Sequence, residues 1–162
     1  MKNCDTIEDV TFSFTSHILL EMARADSSYI ATSLYAVAAE KSDVMPFVIT
    51  EDEMPFVLAC LRNAYNELLT RLMAYVGEGS RCNDECFEIV LKLPVARRSE
   101  IDNLIAHELQ RAYVTYLLSR WYENKLPDIA MRQLQLYEAA VAMARHDIFV
   151  AYGGMKRKPH YI

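Results

Sequence analysis

The chain has 162 residues, of which 52% are hydrophobic and 24% are charged, with only four glycines and five prolines. This length matches a single domain with one core, and the composition is typical of a folded, helix-rich protein rather than a disordered one. The formal net charge of −5 favours solubility and gives no overall attraction to nucleic acid or anionic lipid.

The N-terminal sequence MKNCDTIEDV lacks the apolar core of a signal peptide, and no apolar run approaches the roughly 18 residues of a membrane span. We therefore expect a protein made in the cytoplasm, with no membrane contact. Its cysteines should be reduced thiols: Cys4, Cys60, Cys82 and Cys86. Cys82 and Cys86 are four positions apart, but no histidine neighbours them, so a zinc site is not expected.

Two stretches of alternating apolar and polar residues predict β-strands, each with one buried and one exposed face. They are VTFSF at 10–14 and CFEIVLKL at 86–93. Because an isolated pair of strands is unstable in water, we expect them either to pair with each other over the helices or to pair with another chain.

Four longer segments repeat apolar residues near helical spacing and predict helices. Their approximate ranges are 16–41, 50–76, 99–125 and 128–152. Thr50 is the predicted N-cap of the second helix, and Gly77 and Gly79 follow its end. Pro127 separates the third helix from the fourth, because proline cannot continue a helix.

The order strand–helix–helix thus occurs twice. It divides a single domain of residues 1–162 into a first half at 1–79 and a second half at 80–152, followed by a basic tail at 153–162. We predict a mainly α fold: a four-helix bundle with this pseudo-repeated plan and a small two-stranded β accessory.

The centres of the first and third helices carry almost no charge. No charged residue lies between Asp26 and Glu40, and only Arg120 lies between Arg111 and Glu123. A helix that is apolar on every side is buried on every side. We therefore predict that these two segments pack against each other at the centre, covered by the second and fourth helices.

Aromatic residues of the third helix are candidate core or interface positions: Tyr113, Tyr116, Trp121 and Tyr122. Trp121 is the chain's only tryptophan, and we predict that it is buried, either in the central helix pair or at a subunit contact. A bundle of this size needs few helices buried all round, so a subunit interface stays open as the alternative to the core.

The sequence indicates no catalytic, cofactor-binding or metal-binding residues. HELQR at 107–111 has an arginine where the zinc-protease helix needs its second histidine, and GEGS at 77–80 lacks the lysine of a phosphate-binding loop. Cys60 lies on an apolar helix stripe and is predicted to be a core residue rather than a nucleophile. We predict that the protein is not an enzyme; the rival hypothesis is a site assembled from scattered residues.

Two basic clusters interrupt the acidic balance and supply the candidate partner-docking residues. Arg97 and Arg98 directly precede the third helix, and the others lie in the tail: Lys156, Arg157, Lys158, His160 and Tyr161. Such residues are either solvated charges or a docking arm for an acidic partner or for phosphates. Few aromatic residues accompany them, so sequence-specific nucleic-acid recognition is not expected.

The segment YVTYLLSRWYENKLPD, residues 113–128, resembles a helix of the head–tail connector (adaptor or neck) proteins of tailed bacteriophages. In that family an aliphatic helix ends in an aromatic pair followed by Glu-Asn and a basic residue, here Trp121 to Lys125. The basic ending MKRKPHYI is similar to tails of neck proteins that reach across subunits. The long fourth helix and the two-fold internal plan depart from the family's pattern.

The resemblance implies a small helical bundle with short strands that forms a ring between portal and tail and has no catalytic residues. We therefore expect a structural assembly protein without a cofactor, a homo-oligomer that bridges portal or tail proteins at the virion neck. The alternative is a bacterial cytoplasmic helical module that binds or regulates a protein partner without catalytic activity.

Overall fold

The computed structural model describes residues 6–35 and 47–153. Within these ranges the chain is 66% helical, with four helices and a small three-stranded antiparallel sheet, so the mainly α prediction is confirmed. The elements in chain order are β1 (Ile7–Thr15), α1 (Ser16–Tyr35), a 3-10 turn (Glu51–Glu53), α2 (Met54–Arg71), β2 (Arg81–Cys82), β3 (Cys86–Pro94), α3 (Ser99–Tyr122) and α4 (Pro127–Ala151). The predicted continuation of the first helix to Lys41 lies outside the described residues.

The two predicted strands exist and pair with each other. β1 and β3 are antiparallel, with Ile7 opposite Pro94 and Thr15 opposite Cys86. The alternation pattern did not indicate β2, because two residues are too few to show it. β2 pairs with the other side of β3, so the strand order is β1-β3-β2.

The sheet is part of the core rather than an accessory to a helical bundle. Phe12, Phe14, Phe87 and Ile89 are buried in the same cluster as residues from all four helices. The rings of Phe14 and Phe87 lie 5.4 and 5.6 Å, centroid to centroid, from the ring of Tyr113 in α3. One face of the sheet therefore supplies one wall of the hydrophobic core.

The third helix is central, as predicted. Every residue from Ala112 to Tyr122 except Arg120 is buried. α4 is its principal neighbour, and α1 and α2 also pack on it. The nearly uncharged stretch of α3 from Ala112 to Tyr122 is therefore explained by contacts on nearly all sides within one chain.

The predicted central pairing of the first and third helices is wrong in one respect, because α1 is not buried on every side. Leu19 and Ala23 are buried, whereas Tyr29 is 76% exposed. The exposed side needs no charge, since the hydroxyls of Thr32 and Ser33 donate to carbonyls one turn earlier in the helix. The uncharged part of α1 that follows Asp26 can therefore lie at the surface.

A single backbone carbonyl anchors the end of α3. The indole Nε1 of Trp121 and the hydroxyl of Tyr122 both donate to the carbonyl oxygen of Phe47 at 3.0 Å. The ring of Phe56 packs on Trp121 with 5.8 Å between centroids. The burial of Trp121 is confirmed, and the candidate aromatic residues all lie in this chain's own core: Tyr113, Tyr116, Trp121 and Tyr122.

Two buried tyrosines provide a matched test of these contacts. Tyr122→Phe removes a hydrogen bond to Phe47 and should lower the free energy of unfolding by about 0.5–1.5 kcal/mol. The hydroxyl of Tyr113 is buried without a hydrogen-bond partner in the described ranges, so Tyr113→Phe should leave the free energy of unfolding unchanged or raise it. Urea denaturation measures both variants. Equal losses would contradict the hydrogen bonding described here.

Candidate assembly interface

The hydrogen-bond ladder between β1 and β3 follows a fixed alternation. The amide of Val95 donates to the carbonyl of Thr6 at 2.8 Å, and the amide of Ser16 donates to the carbonyl of Glu85 at 2.9 Å. These bonds lie at the two ends of the ladder and both fit the register of the pair. Because bonded pairs alternate in antiparallel strands, the even-numbered residues of β1 bond to β3.

The odd-numbered residues of β1 therefore direct their backbone groups away from β3, to the open edge of the sheet. The side chains of Asp9, Thr11 and Ser13 are exposed, and no backbone group within 6–35 or 47–153 bonds to the amides and carbonyls of these residues. Because unbonded backbone groups along a strand are a template for another strand, this edge is the principal candidate binding surface.

Apart from Glu8 and Asp9 near its start, the β1 edge shows few of the features that prevent pairing among the described residues. Its nine residues pair with β3 one to one, without a bulge, and the stretch from Val10 to Thr15 contains neither proline nor charge. Long, regular edges of this kind bind extended segments of other chains through main-chain hydrogen bonds. Strand alternation predicted β1 itself, but its position at the edge follows from the pairing, which a single strand's sequence does not specify.

Arg97, a predicted docking residue, instead connects elements of its own chain. The side chain is 8% exposed and donates to both carboxylate oxygens of Asp102 at 2.6 and 2.7 Å. It also donates to Glu8 at 2.7 Å and to the carbonyl of Pro94 at 2.8 Å. The hydrogen bonds to Asp102 and then to Glu8 raise the pKa of the guanidinium above its usual value. Arg97 therefore ties β1 and the end of β3 to the first turn of α3.

The other predicted docking residues are placed as follows. Arg98 is exposed, and the tail residues lie outside the described ranges: Lys156, Arg157, Lys158, His160 and Tyr161. The start of the tail is fixed by Tyr152, whose hydroxyl donates to the carbonyl of Lys92 at 2.7 Å. Gly153 follows with a φ of 93°, a conformation that favours glycine. The chain therefore leaves α4 beside β3.

The metal-ligating and thiol side chains of the described residues are arranged as follows. No group of three or more histidine, cysteine, aspartate or glutamate side chains within 6–35 and 47–153 could hold a metal ion. Burial raises the pKa of the Cys60 thiol to about 11, which keeps it protonated at neutral pH, whereas a nucleophile needs the thiolate. Cys82 and Cys86 are free thiols, the first exposed and the second half-buried. Cys4 lies outside the described part of the chain.

A groove of about 460 Å³ lies between α1, α3 and α4. Its lining is mainly apolar and includes Met22, Ile30 and Val114. Gln133 also lines it and is 9% exposed, with no hydrogen bond to another described residue. Charged side chains also line the groove, namely Asp26, Arg111 and Arg132, so it can accommodate an apolar group that carries a polar or charged end.

None of the four described helices has both the length and the apolar character that crossing a bilayer requires.

Comparison with known proteins identifies no relative: the chain matches no protein-family model, no curated protein and no solved structure.

The two neighbouring arginines give opposite expectations for stability. Arg97→Ala leaves the carboxylates of Asp102 and Glu8 without their partner and should lower the free energy of unfolding by about 1.5–3 kcal/mol, as expected for hydrogen bonds to charged groups. Arg98→Ala is the matched control and should have little effect, because the Arg98 side chain is exposed. Thermal and urea unfolding of both variants measure the difference. A wild-type stability for Arg97→Ala would show that its bonds contribute nothing to the fold.

Proposed function

We propose that this chain is a structural assembly protein that joins neighbouring subunits by accepting an extended strand at the open edge of β1. The observation that carries the proposal is the regular nine-residue edge, in which the backbone groups of Asp9, Thr11 and Ser13 have no described partner. Main-chain hydrogen bonds at such an edge provide affinity, and the alternation of side chains provides the register. The proposal requires neither catalysis nor a cofactor.

Exposed apolar side chains on α4 support the same proposal. Met131, Met143 and Phe149 are between 44% and 57% exposed on a helix whose buried positions include Tyr137 and Ala144. Apolar surface on a folded protein frequently marks contacts with other proteins. A neighbouring subunit held at β1 could bury additional area on such surfaces.

A more specific form of the proposal places the protein at the neck of a tailed bacteriophage, in contact with portal or tail proteins. Its support is the likeness of residues 113–128 to a connector helix, together with an edge suited to a neighbour's arm. In this chain Trp121 and Tyr122 donate hydrogen bonds to the carbonyl of Phe47. The residues that carry the likeness therefore stabilise the fold of a single chain rather than contact a partner. The partner contacts are then assigned to β1, α4 and the tail.

Proline substitution along β1 tests the proposal, because alternate residues use their amides differently. The amide of Thr11 points to the open edge, so Thr11→Pro removes an edge donor without removing a bond to β3. We expect native mass spectrometry to show that the wild-type chain forms oligomers and that Thr11→Pro is a monomer of 18.6 kDa. Its melting temperature should stay within a few degrees of wild type.

Two control variants make the result specific. Thr11→Val keeps the edge amide and should still form oligomers. Val10→Pro removes an amide that bonds to β3 and should lower the melting temperature strongly. A wild-type chain that is monomeric at high concentration, or a Thr11→Pro chain that oligomerises as the wild type does, would contradict the proposal.

A further inference from the structure

We infer that the strand accepted at the β1 edge is the C-terminal segment, residues 154–162, of a second copy of this chain. The inference rests on the proposed assembly function and names the partner of the same edge. The segment lies outside the described residues, and its sequence is GMKRKPHYI. Its charge, its point of departure and its length each favour this partner.

The charge of the segment is opposite to that of the rest of the chain. The formal net charge is −5, and residues 154–162 contribute three positive side chains and no negative one, so residues 1–153 carry −8. The carboxylate of Asp9 is exposed, but its side chain lies against Gly77 on the other side of β3 and is directed away from the open edge. A basic strand is therefore attracted to the acidic body of another copy as a whole rather than to one carboxylate.

The point where the tail leaves the fold disfavours pairing with the same chain's β1. The hydroxyl of Tyr152 bonds to the carbonyl of Lys92, and Lys92 directs its backbone groups away from β1, because its amide bonds to Tyr75. To reach the open edge of its own β1, the tail must cross about three strand spacings, roughly 14 Å, which takes about four residues. Only Lys158 would then remain before Pro159.

Pairing with a second copy requires no such crossing. The five residues from Met155 to Pro159 are then free to extend along the edge, where alternate carbonyls can accept from the amides of Asp9, Thr11 and Ser13. Pro159 lacks an amide hydrogen and ends the strand. In an extended segment Lys156 and Lys158 lie on one face. The segment therefore presents two positive charges on a single side of the added strand.

The inferred contact joins two different surfaces, an edge on one copy and a tail on the next. Repeated from copy to copy, such a contact produces a closed ring or an open filament, whereas two copies that exchange tails reciprocally form a two-fold dimer. Each copy both donates and accepts a strand, so the loss of either function on every copy should stop assembly.

A complementation experiment tests the inference directly. The chain truncated after Gly154 has an open edge and no tail, and the Thr11→Pro chain has a tail and a blocked edge. Each should be monomeric alone, with a melting temperature within a few degrees of wild type. An equimolar mixture should form a one-to-one heterodimer by native mass spectrometry, because one chain supplies the tail and the other the edge. The heterodimer should weaken at high salt, where exposed charges are screened.

The outcomes separate this inference from the proposed function. If the truncated chain still oligomerises while Thr11→Pro does not, another segment occupies the edge, so this inference is wrong and the proposed function stands. If both chains are monomeric but their mixture forms no heterodimer, the tail does not act between copies and the inference is again wrong. If Thr11→Pro oligomerises as the wild type does, both proposals are wrong.

Discussion

The antiparallel pairing of β1 with β3 is the constraint on which the rest of the structure depends. Its register directs Phe12 and Phe14 to the helices, where they form one wall of the core. The same register directs the backbone groups of Asp9, Thr11 and Ser13 to the open edge. A shift of one residue would exchange the two sets of side chains between the two faces. The stability of the core and the availability of the edge therefore have one cause.

The helices hold this pairing in place through contacts at both ends of α3. At its start, Arg97 connects β1, β3 and the first turn of the helix through Glu8, Pro94 and Asp102. At its end, Trp121 and Tyr122 share one carbonyl acceptor. In the second half of the helix, from Ala112 to Tyr122, every residue except Arg120 is buried. The sheet is thus packed against α3, which holds the proposed strand-accepting edge in position.

The sequence predicted local structure well and three-dimensional neighbours less well. Alternation located β1 and β3, and the uncharged run in α3 predicted its burial. The similar uncharged run in α1 led to a wrong prediction of burial on every side. Hydroxyl groups such as those of Thr32 and Ser33 form hydrogen bonds within the helix, so this part of α1 can be exposed. The basic pair before α3 suggested docking, yet only folding reveals that Arg97 faces two carboxylates. The sequence could not predict that β1 lies at the edge of the sheet either, because the position of a strand depends on how all the strands pair.

Hydrogen exchange of the individual β1 amides, compared above and below the concentration at which the protein associates, tests the central claim most directly. The amide of Phe12 bonds to β3 and should be protected in both states. The amides of Asp9, Thr11 and Ser13 should exchange rapidly in the monomer and become protected in the assembly. If these three amides exchange as fast in the assembly as in the monomer, the neighbouring subunit does not bind the edge of β1 and the account is wrong.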